Sequence, residues 1–343
     1  MKRLLKATFL MAAVVIMLGC LKNLGMVRQL AIATPKTNAT SQPKVFTDES
    51  VCHRVTGSYA HTGQDVLGSR NLNGSVSIEV RDGRCVITAN GIPDHAFNNG
   101  SQPFRHDVSA QSSELSFPLH PTRASTPTEL SLRTNNGVLL NGARIDMLAA
   151  ACFGVGDEKT GCNDPNQPWR FDPVYQANGF RMDRYLAHTQ PDGSYHYHGV
   201  VDLPSESMVI GFAADGFPIR TPYVWDAGRL RQVQSSYRLK VGPRIGSGGP
   251  FPGGSYDGTF RDDWEYVQGL GDLDVCNGAD FGEGYAYYAT ERFPYYVGCF
   301  VGTPDRSFNK QGGSQPSGNE IKPVGERGRN ERPQRPRRPD APM

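Results

Sequence analysis

Short apolar–polar alternations, each ended by a glycine-containing turn, recur through the middle of the chain and constrain its fold more than any other feature. Val76, Ile78 and Val80 alternate with polar residues before Arg81-Asp82-Gly83, and Cys85-Val86-Ile87-Thr88 follows. Leu130-Ser131-Leu132 leads into Asn135-Asn136-Gly137 and Val138-Leu139-Leu140. Val209 to Ala213 precedes Asp215-Gly216 and Phe217, and Val224-Trp225 precedes Asp226-Ala227-Gly228 and Leu230. Asp-Gly and Asn-Gly supply the positive φ that tight hairpins demand. No long stretch keeps a helical period with caps. The 39 Gly and 25 Pro among 343 residues also favour turns over long helices. The expected fold is all-β, a disulfide-braced sandwich or irregular barrel with few short helices. No repeat of fixed period is visible, which argues against solenoids and propellers.

The N-terminus points to export. Met1 to Lys6 is basic and Ala7 to Leu18 is apolar and uncharged, the size and polarity of a secretory signal rather than a spanning helix. It ends in Met17-Leu18-Gly19-Cys20, which resembles a bacterial lipobox, so Cys20 is a candidate lipid attachment site. Cleavage after Ala31-Ile32-Ala33 and an uncleaved anchor are the alternatives, and all three place the body outside the cytoplasm, in the periplasm or cell envelope. Setting Cys20 aside leaves Cys52, Cys85, Cys152, Cys162, Cys276 and Cys299, with no C-x-x-C among them. Zinc ribbons and thioredoxin-type motifs are therefore disfavoured. In an oxidising compartment six cysteines read as up to three disulfides. The sequence leaves 15 pairings open, of which 52–85, 152–162 and 276–299 close the shortest loops.

Composition divides the chain further. Residues 1–20 read as the signal, 21–50 as a polar, Pro-containing tether, and 51–303 as the body. Residues 304–343, with Gln311 to Gly318 and the Arg/Pro run from Arg332 to Pro339, read as a disordered basic tail. With +3 in residues 1–20 and +4 in 304–343 against a total of +2, residues 21–303 carry −5. A nucleic-acid-binding core is disfavoured by that balance. The expected membrane contact is a lipid anchor or the N-terminal helix.

The chemistry concentrates in His188-Thr189-Gln190-Pro191-Asp192-Gly193-Ser194-Tyr195-His196-Tyr197-His198-Gly199. In an extended chain His196 and His198 share one face and Tyr195 and Tyr197 the other. Pro191-Asp192-Gly193 fits a type I turn followed by a left-handed Gly in a G1 bulge. That three-residue loop pairs Gln190 with Ser194 and sets His188 opposite His196, whereas a two-residue loop would oppose His188 to Tyr195. Three imidazoles then converge on one face, the ligand set of an open zinc site and equally suited to copper. An ordinary hydrogen-bonded aromatic–histidine strand pair is the competing reading. Asp183, Asp192 and Asp215 are candidate fourth ligands or acceptors for an imidazole N–H, although Asp215 also suits a plain turn.

These residues resemble the YHYH family of bacterial exported proteins, named for the run Tyr195-His196-Tyr197-His198. The resemblance spans roughly residues 140–303. It includes Asn141-Gly142, the segment from Ile210 to Ile219, Leu273-Asp274-Val275-Cys276-Asn277-Gly278, Tyr287-Tyr288-Ala289-Thr290, and the segment from Phe293 to Phe300. Arg220-Thr221-Pro222 departs from the family's usual Tyr-Gly-Pro. The resemblance implies secretion and a histidine-rich site, with no assigned activity. Asp274 and Asn277 fall on family motif positions, so Asp274 joins Asp215 as a candidate cleft residue, with a turn beside the 276–299 pair as the plainer role.

The residues do not select a hydrolytic over a redox reaction. There is no G-x-S-x-G elbow, no H-E-x-x-H, and the Gly246 to Pro250 loop lacks the Gly-Lys-Ser/Thr of a phosphate-binding loop. The leading expectation is transition-metal binding through His188, His196 and His198, in a binding protein or metalloenzyme. A non-catalytic envelope module for glycan or protein, using exposed aromatics among Tyr285, Tyr287, Tyr288, Tyr295 and Tyr296, is the alternative. A purely structural envelope protein is the default.

Overall fold

The computed structural model describes residues 50–310 apart from Ser247. The signal, Cys20, the tether and the tail beyond residue 310 lie outside the described residues. Seventeen strands follow in chain order. They are β1 Gly57–Asp65, β2 Arg70–Arg81, β3 Arg84–Ala89, β4 Ala96–Phe97, β5 Ser113–Pro118, β6 Gly137–Leu139, β7 Arg144–Ile145, β8 Ala187–Thr189 and β9 Tyr195–Tyr197. After these come β10 Val209–Ala213, β11 Pro218–Arg220, β12 Tyr223–Asp226, β13 Arg229–Gln232, β14 Tyr237–Leu239, β15 Trp264–Tyr266, β16 Gly278–Asp280 and β17 Tyr285–Tyr288. The only helical elements among the described residues are four short 3₁₀ turns. None is long and apolar enough to cross a membrane.

The strands form a five-stranded sheet in the order β4-β1-β2-β3-β5 and an eight-stranded mixed sheet in the order β16-β17-β11-β10-β6-β7-β9-β8. Two small ribbons, β12-β13 and β14-β15, complete the set. Among the described residues the fold is mostly β, with no closed barrel. Both sheets bury their apolar faces in one core. Val76, Ile78, Ile87 and Phe117 come from the first sheet, and Val138, Ile145, Tyr195, Phe212 and Ile219 from the second. Phe117 meets Phe212 at 4.8 Å between ring centroids, and Phe97 meets Tyr195 at 5.7 Å. Where the turn between β6 and β7 nears the first sheet, a Cβ at Gly142 would lie 2.6 Å from that of Ala89, so only glycine fits.

Turn chemistry explains the local pairings. Asp82 and Gly83, both at positive φ, join β2 to β3, as the two-residue hairpin rule requires. Ala227 and Gly228 do the same between β12 and β13. Asn135-Asn136 does not form the expected hairpin, and residues 130–132 are not a strand. Asn136 is buried instead, its backbone N–H donating to Ile145 and its side-chain oxygen accepting from Met147 N–H. Its polar groups serve long-range pairing, which overrides the turn signal.

Three disulfides join Cys52–Cys85, Cys152–Cys162 and Cys276–Cys299. Residues 304–310, expected in the tail, pack against the body. Phe308 is fully buried, Asn135 N–H donates to the Phe308 carbonyl, and Lys310 N–H donates to Arg133. The apolar Phe308 and the ion-paired Lys310 anchor a segment whose average composition is polar.

Candidate metal centre

The loop from Gln190 to Ser194 sets the geometry. Gly193 adopts φ +81°, and its N–H donates to the Gln190 carbonyl while Gln190 N–H donates to Ser194. Strands β8 and β9 then pair Ala187 with Tyr197, His188 with His196, and Thr189 with Tyr195. This is the register that the three-residue loop predicts. His198 N–H donates to the Leu186 carbonyl, carrying the pairing one step further. Tyr195 and Tyr197 turn into the shared core, and all three imidazoles lie on the opposite face.

The three rings form a compact triangle, with centroids 4.8, 4.9 and 4.7 Å apart. His198 Nε2 lies 2.9 Å from His196 Nε2 and 3.1 Å from His188 Nε2. Tetrahedral zinc with Zn–N bonds of about 2.0–2.1 Å separates its ligand nitrogens by about 3.3 Å; these two separations are near that value, and the ligand atoms of all three rings lie within 4.8 Å of one another. His196 and His198 are buried and His188 half-buried. Burial, then the His196 charge, lowers the His188 pKa to about 3, and burial lowers that of His196 to about 3. Burial, then the charges of the other two rings, lowers His198 well below its ordinary value. All three are neutral near pH 7, the state that binds metal.

Neutral rings cannot satisfy this arrangement among themselves. The His196 Nδ1 lies 3.4 Å from the Ser194 carbonyl, which favours the proton there and a lone pair on Nε2. His198 Nε2 has one proton at most to share between two neighbouring nitrogens, and its buried Nδ1 has no partner. A cation accepting all three Nε2 lone pairs removes the conflict among those nitrogens, with the His198 proton then on its unpartnered Nδ1.

Two residues unmarked in the sequence adjoin the triangle. Strand β7 runs parallel to β9, pairing Arg144 with His196 and Ile145 with Tyr197, and Asp146 N–H donates to the Tyr197 carbonyl. Arg144 and Asp146 therefore lie on the imidazole face. Asp146 is buried; its Oδ2 accepts from Lys310 Nζ and, at 3.2 Å, from Gln190 Nε2. Its Oδ1 has no partner. Burial raises its pKa, with the Lys310 charge opposing. Asp146 is the one acid between Arg144 and Asp157 in an otherwise apolar run, a signal that was available. Its strand partner was not.

The acids singled out from sequence serve elsewhere. Asp215 accepts from the Tyr287 hydroxyl at 2.6 Å and from the Gly302 and Phe217 N–H groups. It follows β10, three strands from β9, about 14 Å at ordinary strand spacing. Asp274 caps a turn through Cys276 and Gly278 N–H and accepts from the Tyr285 hydroxyl. Asp183 accepts from the Tyr195 hydroxyl at 2.9 Å, and Asp192 caps its own turn through Ser194. None hydrogen-bonds an imidazole. The proposed aromatic surface is also absent, because Tyr287, Tyr288, Tyr295 and Tyr296 are buried and Tyr285 is half-buried. Arg220, where the chain departs from the family's usual Tyr-Gly-Pro, pairs with Glu283 at 2.6 Å.

No curated protein and no solved structure matches the chain. The family model described as YHYH protein matches residues 114–302, more than half of the sequence and all three histidines. It begins at β5, earlier than the segment from 140 marked by the motifs. The chain belongs to the YHYH protein family.

Proposed function

We propose that this protein binds a transition metal, zinc or copper, through the Nε2 atoms of His188, His196 and His198. The convergence of three neutral, mostly buried imidazoles carries the reading. Three protein ligands leave a coordination position open, and a bound metal of this kind would act as a Lewis acid toward a water or substrate oxygen. Asp146 is placed to hold a proton or accept a hydrogen bond beside the centre, its carboxylate fixed by Lys310 and Gln190. A metal-binding role and a metalloenzyme role share this chemistry.

Export to the periplasm or cell envelope, with Cys20 lipidated or the leader removed, belongs to the same proposal. Three disulfides support it, since such bonds persist in oxidising compartments. Metal analysis of full-length protein purified from the periplasm, beside His188→Ala, His196→Ala and His198→Ala variants, tests the centre. One equivalent per chain, lost in each variant, is expected. Metal that persists at full stoichiometry in all three variants would reject it.

A further inference from the structure

A polar groove of about 340 Å³ opens beside the three-histidine triangle. It is lined by Asn135, Arg144, Gln190, His196, Asn309 and Lys310, among others. His196 is the one member of the triangle in its wall. Arg144 stands next to it because β7 and β9 pair these two residues directly.

The charge inventory of the groove singles out Arg144. Lys310 is ion-paired to Asp146, Glu114 to Arg81, and Asp192 spends Oδ1 on the Ser194 N–H and hydroxyl. Arg144 donates from Nη2 to Ser113 Oγ at 2.6 Å, and no carboxylate among the described residues lies within ion-pair distance of it. Burial weakens its hold on the charge, with Asp192 and Asp146 opposing at longer range. A guanidinium offers five N–H donors in a planar fork, matched to the two oxygens of a carboxylate or phosphate. One hydrogen bond leaves most of that fork unused. Gln190 and Asn309 add amide groups to the same wall.

We infer that the groove binds a small ligand bearing an oxyanion, carboxylate or phosphate, which Arg144 holds in bidentate fashion beside His196. The ligand's anionic end sits on Arg144, and the remainder extends along the groove toward the histidine centre. Oxyanion binding does not require the metal, so it is measured on metal-free protein and stands or falls apart from the metal reading.

The test is calorimetric titration of full-length, metal-free protein with inorganic phosphate and with malonate. Saturable binding of at least one probe is expected, weakened about tenfold or more in Arg144→Gln, as loss of a charge-assisted pair implies. Arg144→Lys, which keeps the charge and loses the fork, should also bind more weakly than the natural protein. It decides the question if Arg144→Gln fails to fold. Tighter malonate binding identifies a carboxylate ligand and tighter phosphate binding a phosphate ligand, and either supports the inference. No saturable binding of either probe, or binding unchanged in a folded Arg144 variant, overturns it.

Discussion

His188 and His196 sit directly opposite one another on β8 and β9, their ring centroids 4.8 Å apart. Strand alternation then brings His198 to the same face two residues on. Because side chains alternate with period two, inserting one residue between His188 and Thr189 moves His188 to the tyrosine face. The same insertion inside the loop, between Asp192 and Gly193, keeps the register. Metal binding should weaken in the first variant by more than the 10–100-fold that roughly attends loss of a supporting residue, and survive in the second. Titration of both with zinc checks this, and equal affinities would contradict the register.

Asp146→Asn removes a buried charge without changing shape. If the carboxylate supports the centre, metal affinity should fall about tenfold while stoichiometry stays at one per chain. Competition against a chelator of known affinity measures it. An unchanged constant would leave Asp146 as a partner of Lys310 alone.

Stability of the metal-free protein should depend on pH through the histidines. Their folded pKa values are depressed, to about 3 for His188 and His196, while in the unfolded chain they titrate near the ordinary value of 6.5. The unfolded state therefore takes up protons first as pH falls. Stability is fully present above about 6.5 and is lost toward pH 3, at roughly 1.4 kcal/mol per pH unit per histidine. Asp146, whose pKa is raised, contributes with the opposite sign. Urea unfolding at pH 7 and pH 5 should show the loss, and His196→Gln should make the slope shallower. A slope unaffected by that change would place the pH dependence elsewhere.

Cys276 is buried in the main core, and its bridge to Cys299 spans 23 residues. Replacing both by Ala should cost about 2–4 kcal/mol. Denaturant unfolding under oxidising conditions reads the difference. Reductant should then destabilise the natural protein more than the double variant.

The histidine triangle was legible because its parts are local. Pro191-Asp192-Gly193 dictates the hairpin register, and period two adds His198. The hairpins at Asp82-Gly83 and Ala227-Gly228 were legible for the same reason. Arg144 and Asp146 were not, because β7 reaches β9 through a parallel pairing across some fifty intervening residues. Lys310 enters from a segment whose polar composition masks the single anchor Phe308. Asp215 and Asp274 drew notice through motif and turn position, yet their carboxylates satisfy backbone and tyrosine donors in the fold. The tyrosine-rich C-terminal stretch read as a binding surface because composition does not distinguish an exposed ring from a core ring with a bonded hydroxyl. Tyr287, whose hydroxyl reaches Asp215, is the latter.

X-ray absorption at the metal edge of zinc- or copper-loaded protein tests the central claim most directly. Three imidazole nitrogens at about 2.0–2.1 Å for zinc is the predicted result. A first shell with fewer than three imidazoles in the natural protein would contradict the account.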